Sequence, residues 1–183
     1  MLENQMLTPD FNANRHVVDV RAATTLDATA ICDVIRRSIS ACCVADHRND
    51  PDIVSAWLRN KTPENAAMWI GSADAIAVVA LRGSDLVGFA LSNRDELALC
   101  YVAPEALHQG AGKGLLRAIE SRALSRGVSK LRLDSTRTAR DFYARNGFSV
   151  SGPAQVWAGM EGTPMVKHLT VDPSRQLTSV SRD

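Results

Sequence analysis

Residues 109–114 read Gln-Gly-Ala-Gly-Lys-Gly, and no other stretch of the chain narrows its fold so far. Three glycines at alternate positions separate an apolar run leaving through Val102-Ala103-Pro104 from a run whose Leu115, Leu116, Ile119 and Ala123 share one helical face. The pattern predicts a strand, a turn and a helix. Glycine leaves the first backbone N–H groups of that helix uncovered, where they coincide with the positive end of the helix dipole. The segment therefore reads as a cradle for an anion, pyrophosphate first among them.

Two common phosphate loops do not fit. A mononucleotide P-loop needs GxxxxGK followed by Ser or Thr. Here Gly112-Lys113 precedes Gly114, and the position five before Gly112 is Leu107. The dinucleotide fingerprint GxGxxG would need glycine at 115, which is Leu115. What remains, in order, is Val102-x-Pro104, Gln109-x-x-Gly112-x-Gly114 and Ala139-x-x-Phe142-Tyr143-x-x-x-Gly147-Phe148. This set resembles the GCN5-related N-acetyltransferase (GNAT) superfamily, most strongly over 76–148 and more loosely from about 17 to 169.

The resemblance implies an α/β (α+β) fold with a twisted, mostly antiparallel sheet flanked by helices. Its central strands, 96–102 and 129–134, should run parallel and splay apart to admit acetyl-CoA. The implied activity moves acetyl from acetyl-CoA to a primary amine of a small molecule, by direct attack in a ternary complex. Acetylation of a protein N-terminus or lysine is the alternative acceptor, marked by an open groove rather than a closed pocket. A catalytically degenerate acyl-CoA-binding regulator is the alternative from another class, marked by tight binding without turnover. Family habit also allows a homodimer.

Amide formation from a thioester sets the chemical requirements. An amine with a lysine-like pKa is neutral in roughly one molecule in a thousand near neutral pH, so a base must take its proton and an acid must meet the leaving thiolate. N–H donors should face the developing oxyanion. By the resemblance, the backbone of Cys100, Tyr101 and Val102 pairs with the pantetheine arm like an added strand, and the Val102 N–H is the oxyanion donor. Gln109, Gly110, Ala111, Gly112, Lys113 and Gly114 hold the pyrophosphate. Thr136 stands seven residues before Tyr143, where relatives often place Asn or Ser near the cofactor.

Tyr143 falls on the family's general acid, against the plainer reading of a tyrosine packed beside Phe142. Glu96, four residues before Cys100, falls where the histone-acetylating branch places its base. Its plainer reading is a solvated strand-end glutamate; desolvation beside Asp95 would raise its pKa toward a useful range. Cys100 could carry acetyl covalently but reads better as a small core residue, and His108 as a surface residue. Arg36, Ser38, Trp57 and Trp157 are candidates to line the acceptor pocket, each with core packing or plain exposure as its rival reading. No metal is implied.

Charge supports a polyanionic cofactor. Residues 108–147 carry nine Lys or Arg against three Asp or Glu, while the whole chain has net charge +1. The balance favours neither nucleic acid nor a membrane surface. Cys32, Cys42, Cys43 and Cys100 match neither zinc spacing nor a disulfide framework and read as free thiols in a reducing cytoplasm. No apolar run approaches the roughly 20 residues of a membrane span.

Along the chain, residues 1–15 read as a disordered leader, 16–171 as one domain and 172–183 as a tail. Strands are expected at 16–20, 75–82, 86–92, 96–102, 130–134, 148–151 and 165–169, with a loop over 157–163. Helices are expected from a Thr25 or Asp27 cap, over 52–60 and 63–70, from the Gly-rich turn to Arg126, and over 138–146.

Overall fold

The alternating residues 75–102 form three consecutive antiparallel strands, β2 (Ala75–Arg82), β3 (Asp85–Asn93) and β4 (Glu96–Val102), preceded by β1 (Val18–Ala22) on β2. The fold is that of a computed structural model, which describes residues 18–157 and 159–170. The sheet continues with β5 (Lys130–Thr136), β6 (Ser149–Val150), β7 (Gln155–Trp157) and β8 (Met160–His168). Its order is β1-β2-β3-β4-β5-β8-β6, with β7 also on β8. Only β4 and β5 pair in parallel among the described strands, as the helical crossover between them requires.

Helices cover both faces. On one, α1 (Ala28–Cys42), α2 (Val44–His47), α3 (Pro51–Leu58) and α4 (Pro63–Gly71) enclose Ile31, Ile35, Trp57, Phe89 and Met160. On the other, α5 (Ala111–Ser125) and α6 (Arg140–Arg145) cover Val78, Ala90 and Leu131 with Leu115, Leu116, Ile119 and Tyr143. Local chemistry sets the ends. The Asp50 carboxylate accepts from the N–H groups of Asp52 and Ile53 (2.9 and 3.2 Å) ahead of Pro51. Thr62 Oγ1 accepts from the Asn65 N–H at 3.2 Å. Gly127 (φ +79°) and Gly147 (φ +89°) follow α5 and α6 in the left-handed conformation that ends helices.

Three expectations are corrected. The first strand lies at 18–22, and residues 16–17, like the expected leader and residues 172–183, fall outside the described residues. Thr25 is no cap: it opens a short 3₁₀ turn (Thr25–Asp27) that Thr24 caps, while Asp27 holds the N-cap position of α1 as expected, its carboxylate turned back onto the Thr24 N–H at 2.8 Å and paired with Arg21 at 2.7 Å. The stretch expected as a loop over 157–163 is a hairpin, β7 into β8, which buries Met160 and Thr163. Pro164 and Gly162 hid that strand. The Pro164 carbonyl accepts from the Ser151 N–H at 2.9 Å. The nitrogen of Pro164 thus faces the break between β6 and β7, and its missing donor costs no bond to β5.

One irregularity positions the site. Leu91 pairs with Leu99 but Ser92 pairs with Leu97, so Ala98 is an extra residue, a β-bulge. Leu97, Cys100 and Val102 consequently pack toward α5, while Leu99 and Tyr101 face α1 and α3. Glu96, next to Leu97, shares the face of Leu99 and Tyr101. Simple alternation would have placed Leu97, Leu99 and Tyr101 together.

Candidate active site

Strands β4 and β5 touch at one end only. Their ladder is the single pair Glu96 with Arg132, backed by Arg132 N–H to the Asp95 carbonyl at 2.8 Å. Arg132 also grips the Asp95 carboxylate with two hydrogen bonds of 2.8 and 2.9 Å. Beyond this clamp, residues 100–102 lie past the last pairing. The Ala103 N–H donates to Val87 in β3 at 2.8 Å, so by strand alternation the Val102 N–H points the other way, into the gap. The gap thus has an edge of free backbone groups.

The Gly-rich turn closes the far end. Gly110 has φ +89° and an added Cβ there would have no atom within 4 Å, so it serves the turn rather than packing. The next two glycines serve packing: an added Cβ at Gly112 would lie 3.3 Å from the Phe142 ring, and one at Gly114 3.2 Å from Val20. Lys113, Gln109 and His108 are exposed. The first intrahelical bond, Gly114 N–H to the Gly110 carbonyl (2.9 Å), leaves the preceding N–H groups of the turn free for an anion. Gln109 does not itself reach out: its amide donates to the Glu105 carbonyl at 2.8 Å and accepts from Arg82 at 3.1 Å. The residues fit a pyrophosphate bound by backbone donors.

Tyr143, 7% exposed, lies with its hydroxyl against the Cys100 thiol and edge-on to Phe142 and Phe148 at 5.2 and 5.6 Å between centroids. Burial, helped by Cys100, holds its phenol well above the ordinary range, so the hydroxyl keeps its proton. Burial also pushes the Cys100 thiol up to about 12, so it stays protonated near neutral pH and makes a poor nucleophile. Thr136, at the end of β5, accepts from the Ala139 N–H at 3.3 Å and so shapes the turn into α6.

The remaining candidates separate. Trp57 is 5% exposed and packs with Tyr101, whose phenol burial raises and the Trp57 indole partly offsets. Ser38 is buried beside Cys42. Arg36 does not line the gap: it donates to the Leu58 and Lys61 carbonyls at 3.2 and 3.3 Å, tying α1 to the end of α3. Trp157 belongs to β7, with its side chain outside the described part. Glu96 is exposed, not desolvated, and its neighbour Asp95 is taken by Arg132. Among the described residues Glu96 makes no ion pair, and the bulge turns it toward the Tyr101 face.

Sequence reasoning passed over Asp46 and His47. Both are buried in α2. His47 is held at both ring nitrogens, its Nε2 on the Ile39 carbonyl (3.1 Å) and its Nδ1 accepting from the Asn49 N–H (3.0 Å). Asp46 accepts from the backbone N–H groups of Arg137 (2.7 Å) and Thr138 (3.3 and 3.4 Å), 91 and 92 residues away. No local pattern could announce that contact.

Comparison with known proteins agrees with this geometry. The family model described as acetyltransferase (GNAT) domain matches residues 49–169. An amino-acid acetyltransferase of Pseudomonas putida is 49% identical over 61 residues, which are 33% of this chain and 14% of that protein. The match therefore spans a small part of the relative. A Rhodopseudomonas palustris structure titled GCN5-related N-acetyltransferase superposes with TM-score 0.73 at 23% identity, covering 82% of this chain and 95% of that one. A PaiA N-acetyltransferase of Thermoplasma acidophilum, solved with coenzyme A, gives 0.70 at 23% identity over 83% and 99%. At these identities the two structures speak for the fold.

Proposed function

The chain belongs to the GNAT acetyltransferase family, and we propose that it is an acetyl-CoA-dependent N-acetyltransferase acting on a primary amine of a small molecule by direct attack. The observation carrying this reading is the free β4 edge beyond the lone β4–β5 pair, with the Tyr143 hydroxyl beside Cys100 at that edge. The small-molecule acceptor is supported by the amino-acid acetyltransferase relative. The four unbonded cysteines suit a reducing cytoplasm.

Bound acetyl-CoA supplies an acetyl group activated as a thioester. The turn 109–114 binds the pyrophosphate through backbone N–H groups, with Lys113 adding positive charge. Cys100 and Val102 align the pantetheine arm through their free backbone groups, and the Val102 N–H donates toward the oxygen on which charge develops. Tyr143, kept protonated by burial, presents its O–H to the departing sulfur as the hydrogen-bond and proton donor. Glu96, at the closed end of the seam four residues before Cys100, takes the amine proton through a chain of waters. Trp57 and Tyr101 line the acceptor side.

A thermal-shift and thiol-release pair tests this: acetyl-CoA alone, then with a panel of amines and peptides. A raised Tm with cofactor and free thiol with a small amine are expected. Thiol release with peptides only would move the acceptor to protein. Binding without turnover would identify a regulator, and no shift would sink the cradle.

A further inference from the structure

We propose that Asp46 is a positioning residue for the transfer reaction: from α2 its carboxylate holds the turn that begins α6 and thereby sets Tyr143 against the reacting sulfur. This rests on the assignment of Tyr143 as the acid. Asp46 is 7% exposed, yet it makes no ion pair among the described residues. Its partners are the Arg137 and Thr138 N–H groups, which no strand or helix satisfies. A carboxylate buried with neutral donors alone is a costly arrangement, and a packed apolar residue could not reproduce what it does. The turn it grips runs from Thr136 to Ala139, and the Tyr143 N–H bonds the Ala139 carbonyl at 3.1 Å. Thus two hydrogen-bonded steps separate Asp46 from the acid.

The corner that carries Asp46 is itself over-determined. Arg48 and Asn49 both adopt left-handed backbone (φ +51° and +57°), a conformation that disfavours most side chains. His47 pins the corner through the Ile39 carbonyl, the Asn49 N–H and an edge-on contact with Trp57 at 6.4 Å. Burial raises the Cys43 thiol and the Tyr101 phenol, and the Asp46 charge adds a smaller push to both, so the carboxylate lies near the acceptor wall as well as the acid helix. The acceptor side and the acid are therefore joined by one side chain.

A double-mutant cycle with Tyr143→Phe tests the link. Asp46→Ala should lower kcat about tenfold while the thermal shift with acetyl-CoA persists, and should lower it less than about twofold further in the Tyr143→Phe background, because coupled residues are not additive. Asp46→Asn should stay within about threefold of the parent, since its amide oxygen still accepts from Arg137. If Asp46→Ala does not fold, Asp46→Ser, too short to reach the turn, takes its place in the cycle. Losses that multiply, or Asp46→Asn falling as far as Asp46→Ala, would overturn the inference and leave the Tyr143 assignment standing. Full activity of Tyr143→Phe would remove both.

Discussion

The two ends of the β4–β5 seam contrast in every physical respect. At the closed end, Glu96 pairs with Arg132, and the Asp95–Arg132 ion pair stands in solvent with side chains 33% and 58% exposed. Its charges are screened, and Arg132 holds Asp95 below the usual carboxylate range at its strongest through hydrogen bonding rather than burial. At the open end the β4 backbone is unpaired toward β5, Tyr143 is buried and Cys100 and Tyr101 are half-buried, and burial drives all three upward. The closed end fixes where the strands part. The open end can do chemistry, because its buried phenol keeps a proton beside free backbone donors.

The largest effect expected from breaking this contrast is at Tyr143. Replacing it with Phe should lower kcat by about 10²–10³-fold, within the range of general acid catalysis, with acetyl-CoA binding retained in the thermal-shift assay. Glu96 comes next. Glu96→Gln should lower kcat/KM by about tenfold to a hundredfold and remove the acidic limb of its pH profile; an unaltered limb would strip Glu96 of its role.

A third measurement sharpens the contrast through stability. Thiols and phenols at the open end have raised pKa values, so the folded chain holds protons that the unfolded chain releases first. Their contribution is fully present below about pH 9 and is lost as pH rises toward the folded value of about 12 for Cys100 and Cys43. Urea midpoints should therefore fall between about pH 9 and 12, and Cys100→Ala should flatten that fall; the same slope in the variant would mean the thiol is not enclosed. The smallest effect belongs to the closed end, where Asp95→Asn should leave kcat within about twofold, as exposed ion pairs contribute little. A larger loss would show that the clamp tunes the gap.

Much of this was readable locally. Leu115, Leu116, Ile119 and Ala123 line the buried face of α5 as their spacing demands, and the alternation in 75–102 yields three strands with nearly the expected ends. Tyr143 was legible because a motif of fixed spacing carries it on a short helix. Arg36 misled because a cation at an acceptor-side helix can serve any nearby oxygen, and here it serves carbonyls at the end of α3. The hairpin at 155–168 was hidden by Pro164 and Gly162, residues that argue against a strand until the partners on each side are known.

The sequence by itself determined most of the elements, the parallel crossover and the Gly-rich turn ahead of α5, because each depends on residues within one or two turns or strand repeats of one another. Tertiary structure decided which face each β4 residue presents, since the Ala98 bulge exists only in the pairing with β3. It likewise decided that the seam parts after Arg132. It alone brought Asp46 to Arg137, two groups 91 residues apart, because a buried carboxylate finds its donors in space and leaves no spacing in the chain to announce them.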